Sequence, residues 1–446
     1  MLEPQSTALF LLLMVAFGCL VVWAVVAKQA VFRLLAACLA FVPAMLFGVV
    51  AVNKYYGYYE TWSAVVADFT NGGVQNIPRV PAAGPGSGQA FDHLLGSTVN
   101  VQQAAQSGAV IGLVVNGSGL AKRIVRDVVV YLPPQYFQKQ YAGYRFPVIE
   151  LIHGQPGQPE DWLAALDVQT TLQQLVAAHR ADPVVLVMPN VNGNRTNSLQ
   201  CLNQVGGPAD ETYVATNVPN FVAARVRVEP PGRGWGIAGY SEGGYCTANL
   251  ALRHPRRYGF AGVLSGYFRP LDSRVEYRHI FKNVDPFHGN VTLREKNSPA
   301  DILRRLPAGS HIPEFWIGAS RPRQDIKDAV MFVALLRKQD PATPMLLTAN
   351  GVHNAVAWRS MITPMLEWMT PRLAQATVAQ GCNGCVTPFG TASGKMIPSS
   401  RGAFTPAGWA ASQGRIPAHA QRTAGAELPA APGAGRLPDR VPLATG

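Results

Sequence analysis

Charge is scarce in this chain and unevenly signed. Acids number 26 against 38 lysines and arginines, and charged residues make up 14% of the sequence. The surplus of +12 is scattered, with several basic residues in the C-terminal stretch and few acids to balance them. No basic run with interleaved aromatics occurs, which argues against a nucleic-acid partner. Attraction to anionic lipid or an envelope polymer is the milder meaning of the charge. Cysteine is sparse too: six residues, falling into three pairs. Cys382 and Cys385 form a CxxC, yet there is no second CxxC and no histidine pair at ligand spacing. Neither zinc nor any other metal is expected, and no motif requires a cofactor. Cys19 and Cys38 lie in apolar segments and read as inert.

Apolar residues are plentiful, at 48% of a 446-residue chain, enough for a sizeable core and two or three domains. Residues 8–27 form an uncharged stretch about as long as a bilayer is thick, and residues 34–52 form a second, interrupted only by Pro43. A signal peptide wants a basic start and a small-residue cleavage site, whereas this chain starts Met-Leu-Glu-Pro and runs on into the second stretch. Two transmembrane helices are therefore expected, in preference to a signal peptide or a buried core hairpin. Lys28 and Arg33 sit in the short connection, so the positive-inside rule places the connection in the cytoplasm and everything after Val52 outside. Lys54 runs against that bias.

The expected division is a membrane anchor over 1–54, a juxtamembrane segment and linker over 55–107, a catalytic domain over 108–375 and a low-complexity, disordered tail over 376–446. Tyr55-Tyr56-Gly57-Tyr58-Tyr59 suits the aromatic belt of a membrane interface. Within 108–375, apolar runs at 109–115 and 124–134 read as a hairpin. Further short runs at 148–152, 184–188, 315–318 and 345–348, with helical patterns between them, predict βαβ units and a mostly parallel sheet.

Gly239-Tyr240-Ser241-Glu242-Gly243 reads G-x-S-x-G between a short buried strand and a helix that runs to about residue 254. In a chain with 43 glycines chance alone yields on the order of 0.2 such matches, so context must carry it. At a sharp strand-to-helix turn the serine hydroxyl is lifted out of the sheet toward a reacting carbonyl. A serine nucleophile also needs a base, an acid to orient it and donors for an oxyanion. His353 lies in a loop after the last strand, where a base is delivered. The acid should follow the preceding strand. Asp325 comes first and Asp328 lies three residues on, and either could instead cap the next helix. The backbone N–H groups of Gln155 and Glu242 are the expected oxyanion donors. His153 is a second histidine near this site, expected to shape its loop. Glu242 is awkward, because a carboxylate near the oxyanion opposes the developing charge unless it points away.

His153-Gly154 followed by Trp162, the Gly-Tyr-Ser-Glu-Gly-Gly elbow, the stretch around Glu211, and Gly351-Val-His-Asn-Ala-Val-Ala-Trp358-Arg together resemble the esterase D and mycolyltransferase branch of the α/β-hydrolases. The resemblance covers roughly residues 108–371. It implies an α/β-hydrolase fold and a serine carboxylesterase or acyltransferase with Ser241 as nucleophile and His353 as base. Two features depart from the mycolyltransferase pattern: the two helices in place of a cleaved signal, and the acidic residue after the nucleophile. A non-catalytic envelope-binding protein on the same fold is the competing reading. Cys201 and Cys246 pair if the domain is exported, or stay free thiols.

Overall fold

The computed structural model describes residues 2–63, 65–66, 77–81, 88–117, 124–194, 197–271, 285–307, 309–320, 323–347 and 352–379. Cys382, Cys385 and the expected tail from residue 380 on lie outside them, whereas its first residues, 376–379, continue a helix that begins at Ala355.

Two helices open the chain, α1 (Thr7–Val26) and α2 (Ala30–Tyr56). Both are long and apolar enough to cross a bilayer, with mean hydropathies of 2.9 and 2.5 over their most apolar windows. Only 6% and 22% of those windows is buried, whereas a core helix would be covered. They pack on each other, with Phe10 and Phe47 ring centroids 4.6 Å apart. Pro43 is accommodated inside α2. Part of the stretch expected as linker is helical, over Gly88–Thr98 and Val101–Ser107, and Phe91 and Leu95 from it enter the core.

The main body is one eight-stranded sheet: β1 (Ala109–Asn116), β2 (Val125–Leu132), β3 (Val148–Ile152), β4 (Val185–Pro189), β5 (Gly232–Tyr240), β6 (Tyr258–Leu264), β7 (Glu314–Ala319) and β8 (Met345–Leu347). Its order is β1-β2-β4-β3-β5-β6-β7-β8. β1 pairs antiparallel with β2, and β2 antiparallel with β4; the other neighbours are parallel. The short strands β3 and β4 are buried along their whole length, as parallel strands covered on both faces must be.

Helices cover the faces. α3 (Asp161–Ala164) and α4 (Val168–Ala177) follow β3, α5 (Glu242–Arg253) follows β5, α6 (Arg323–Leu336) follows β7 and α7 (Ala355–Ala379) follows β8. The packing of α7 is legible in its spacing. Met361, Met365 and Met369 recur every fourth residue and lie over Gly318, Gly262 and Gly236 of three adjacent strands. A Cβ at any of those glycines would stand 2.6–2.8 Å from the methionine sulfur, so the helix seats directly on the backbone of the sheet. Residues ahead of α7 are thereby held at the carboxyl ends of the parallel strands, where open α/β sheets carry their sites.

Candidate active site

β5 ends at Tyr240 and α5 begins at Glu242, leaving Ser241 to make the turn alone. Its backbone adopts φ 56° and ψ −119°, a strained conformation for a residue with a side chain. A Cβ at Gly243 would fall 2.1 Å from the Ile152 carbonyl oxygen, so glycine is required where α5 crosses the end of β3. The Ser241 N–H donates to the Leu264 carbonyl at 2.9 Å, tying the turn to the end of β6.

The loop after β8 brings His353 to this turn. Its Nε2 lies 2.8 Å from Ser241 Oγ, and its Nδ1 lies 2.7 Å from Asp325 Oδ2 at the start of α6. Three residues from three separate strand ends thus form one line. Asp328 is elsewhere: its carboxylate accepts from Gln324 on the exposed side of α6. Ser320 donates to Asp325 Oδ2, the same oxygen that faces His353, and Ser265 Oγ in turn lies 3.0 Å from Ser320 Oγ. These two serines fix the carboxylate from below. Their only sequence signal is position, directly after β7 and β6, and reading for an acid and a base passes over them. Trp358 belongs to the same sequence motif as His353. It stands edge-on to the His353 ring, with centroids 5.2 Å apart, and stacks on Tyr240 at 4.5 Å.

His153 is fully buried, with Nδ1 2.8 Å from the Gly154 carbonyl and Nε2 accepting from the Val191 N–H at 3.2 Å. These contacts hold the loop after β3 against the loop after β4, a shaping role. Gly154 packs so closely on the elbow that a Cβ there would lie 3.2 Å from Ser241 Cβ, which puts the Gln155 stretch beside the nucleophile. Glu211 receives two nitrogens of Arg253 and sits 2.9 Å from His254 Nε2, bracing the far end of α5 rather than entering the site.

Glu242 turns away from Ser241. Its buried carboxylate accepts from Asn192 Nδ2 at 3.0 Å and from the Ser198 hydroxyl. Burial pushes its pKa up to about 7, against hydrogen bonds that pull it down. Close to neutrality much of it is uncharged, which removes the conflict with an oxyanion. One turn further along α5, Cys246 forms a disulfide with Cys201.

A strained serine at a strand-to-helix elbow on a mostly parallel sheet, with a histidine and an acid from later strand ends, defines an α/β-hydrolase of the serine type. The Esterase family model, described as "Putative esterase", matches residues 124–369, and the chain belongs to that family. An uncharacterized protein of Corynebacterium glutamicum is 26% identical over 254 residues, 55% of this chain and 57% of that one. The MPT51/MPB51 antigen of Mycobacterium tuberculosis is 36% identical over 70 residues, 16% of this chain and 23% of its own. The chain therefore spans little more than half, or less, of the curated relatives it matches. A ferulic acid esterase structure superposes with a TM-score of 0.50 at 19% identity, covering 60% of this chain and 99% of its own.

Proposed function

We propose that this protein is a membrane-anchored serine esterase acting at the cell envelope, with Ser241, His353 and Asp325 as its triad. The observation that carries this reading is the unbroken line from Asp325 Oδ2 through the imidazole to Ser241 Oγ, at 2.7 and 2.8 Å. The anchor is α1 and α2, whose apolar surfaces are uncovered, and the domain after them lies outside the cytoplasm by the Lys28 and Arg33 bias. The divisions 1–54, 55–107, 108–375 and 376–446 belong to the same proposal.

In this mechanism Ser241 Oγ attacks the ester carbonyl as His353 Nε2 takes its proton. Asp325 holds Nδ1–H, which fixes the tautomer and stabilises the imidazolium. The oxyanion is met by the Glu242 and Gln155 N–H groups and by the positive end of α5. Collapse expels the alcohol, protonated by His353, and leaves an acyl-Ser241 ester. Water, deprotonated by His353, then releases the acid and restores the serine. A sugar or polyol hydroxyl in place of that water makes the second half acyl transfer, so the product decides between the two.

The test is covalent labelling of the purified full chain with a fluorophosphonate probe, together with turnover of 4-nitrophenyl esters. Labelling and turnover should both vanish in Ser241→Ala. An unlabelled parent chain would favour the non-catalytic envelope-binding reading instead. Acyl products formed in the presence of trehalose separate hydrolysis from transfer.

A further inference from the structure

The segment leaving α2 does not behave as a tether. Asn53, inside the last turns of α2, accepts the Tyr59 N–H and donates to the Tyr59 carbonyl, both at 2.9 Å, which folds the exit back on itself. Gly57 takes φ 71° to make the turn and lies flat on the first turn of α7, where a Cβ would meet Val356 at 2.9 Å. Asn354 Nδ2 donates to the Tyr55 carbonyl at 3.2 Å. Arg359 Nη2 donates to the Tyr58 carbonyl at 3.2 Å, and its guanidinium pairs with Glu60. Tyr58 Oη reaches Asp161, the first residue of α3, at 3.4 Å.

Beyond the Asn53–Tyr59 fold-back, these contacts are made to the residue after His353, to the first turns of α7 and to the start of α3. Asn354 directly follows His353, and Asp161 opens α3 just after the loop that carries Gln155. The last turn of a bilayer-length helix is therefore hydrogen-bonded to the residue next to the proposed base. Around the junction stand exposed Tyr55, Tyr56 and Trp62, aromatics suited to a headgroup layer, and beside His353 the exposed Val352, 59% accessible.

We infer that α2 docks the catalytic mouth against the bilayer surface, and that the ester taken there is carried by a membrane-resident amphiphile. This rests on the esterase and anchor readings above and deepens them. A helix end rigidly joined to the histidine loop fixes both the height and the tilt of Ser241 over the membrane. Such pre-orientation favours a substrate confined to the bilayer and does nothing for one diffusing in water.

The experiment uses the full chain in phosphatidylcholine–phosphatidylglycerol vesicles, with a fluorogenic long-chain ester doped into the same bilayer and a short nitrophenyl ester in the water. An insertion of about ten Gly and Ser residues between Tyr56 and Gly57 leaves the contacts of 57–60 intact and frees the domain from α2. Turnover of the bilayer ester should fall about tenfold, while the soluble ester changes by less than about twofold. Equal turnover of the bilayer ester by both chains, with the soluble ester still cleaved, would overturn the docking and leave the esterase reading standing. Failure of the parent chain on both esters would remove the esterase reading and this inference with it. A geometric readout needs no activity. With Cys19, Cys38, Cys382 and Cys385 changed to Ser, a fluorophore on Val352→Cys should be quenched by headgroup-spin-labelled lipid, and one on Lys338→Cys, ahead of β8, should not. Equal quenching at the two positions would also overturn the docking.

Discussion

Ser241 stands between two loops that are secured in opposite ways. On one side the loop after β4 is locked onto α5 twice, through Glu242 to Asn192 and Ser198 and through the Cys246–Cys201 disulfide. Residues 242 and 246 are one helical turn apart, so both fastenings lie on one face of α5. On the other side the His353 loop is held by carbonyl hydrogen bonds and the Arg359–Glu60 pair, whose glutamate is half exposed. His353 itself keeps 37% of its side chain accessible, against 16% for Asp325. The wall beside Ser241 is covalently fixed. The arm that carries His353 is fixed by reversible contacts, and those contacts belong to the segment that leaves α2.

The largest expected effect lies on the arm. Asp325→Asn should lower kcat for a nitrophenyl ester by about 10⁴-fold, or about 5 kcal/mol, because it presents the wrong hydrogen-bonding partner to Nδ1. Asp328→Asn, on the exposed side of α6, should stay within about twofold of the parent. Steady-state kinetics of the two variants side by side decides the acid, and the reverse ranking would move that role to Asp328.

The locked wall is tested next. Cys201 and Cys246 are 45 residues apart, and closing a loop of that length is worth about 2–4 kcal/mol. The double change to Ser should lower the calorimetric Tm of the full chain in detergent by several degrees, and a reducing agent should do the same to the parent. A Tm unmoved by either treatment would mean that the two thiols contribute no bond to the stability.

What the sequence shows of this site is what is local or ordered along the chain. The elbow spans five residues, and the histidine loop announces itself by following the last strand. The acid was legible as a choice between two positions, because the contact with His353, and not spacing, separates Asp325 from Asp328. The Ser265–Ser320–Asp325 support and the Trp358–Tyr240 stack exist only once the strand ends are side by side. Among the longest in reach is the Arg359–Tyr58 bond, between residues 301 apart, which no periodicity encodes. The direction of the Glu242 side chain was likewise invisible, since its partners come from the loop after a strand two places away in the sheet.

Glu242 supplies the smallest and sharpest contrast between the two fastenings of the wall, because a disulfide is indifferent to mild pH and a buried carboxylate is not. Its folded-state pKa of about 7 lies above the ordinary 4.5, so between these values the folded protein holds more proton than the unfolded chain. Its contribution is therefore complete below about pH 4.5, declines as pH rises toward 7 and is lost above it. The upper bound on that loss is about 3 kcal/mol for a shift of this size. Glu242→Gln keeps an acceptor and adds a donor that Ser198 can receive, yet carries no charge to desolvate. Urea midpoints of parent and variant at pH 5, 6, 7 and 8 should converge at the acid end and separate above pH 7, the variant being the more stable. Parallel curves across that range would show that the Glu242 carboxylate ionises as freely in the fold as in water, and that the disulfide alone locks the wall.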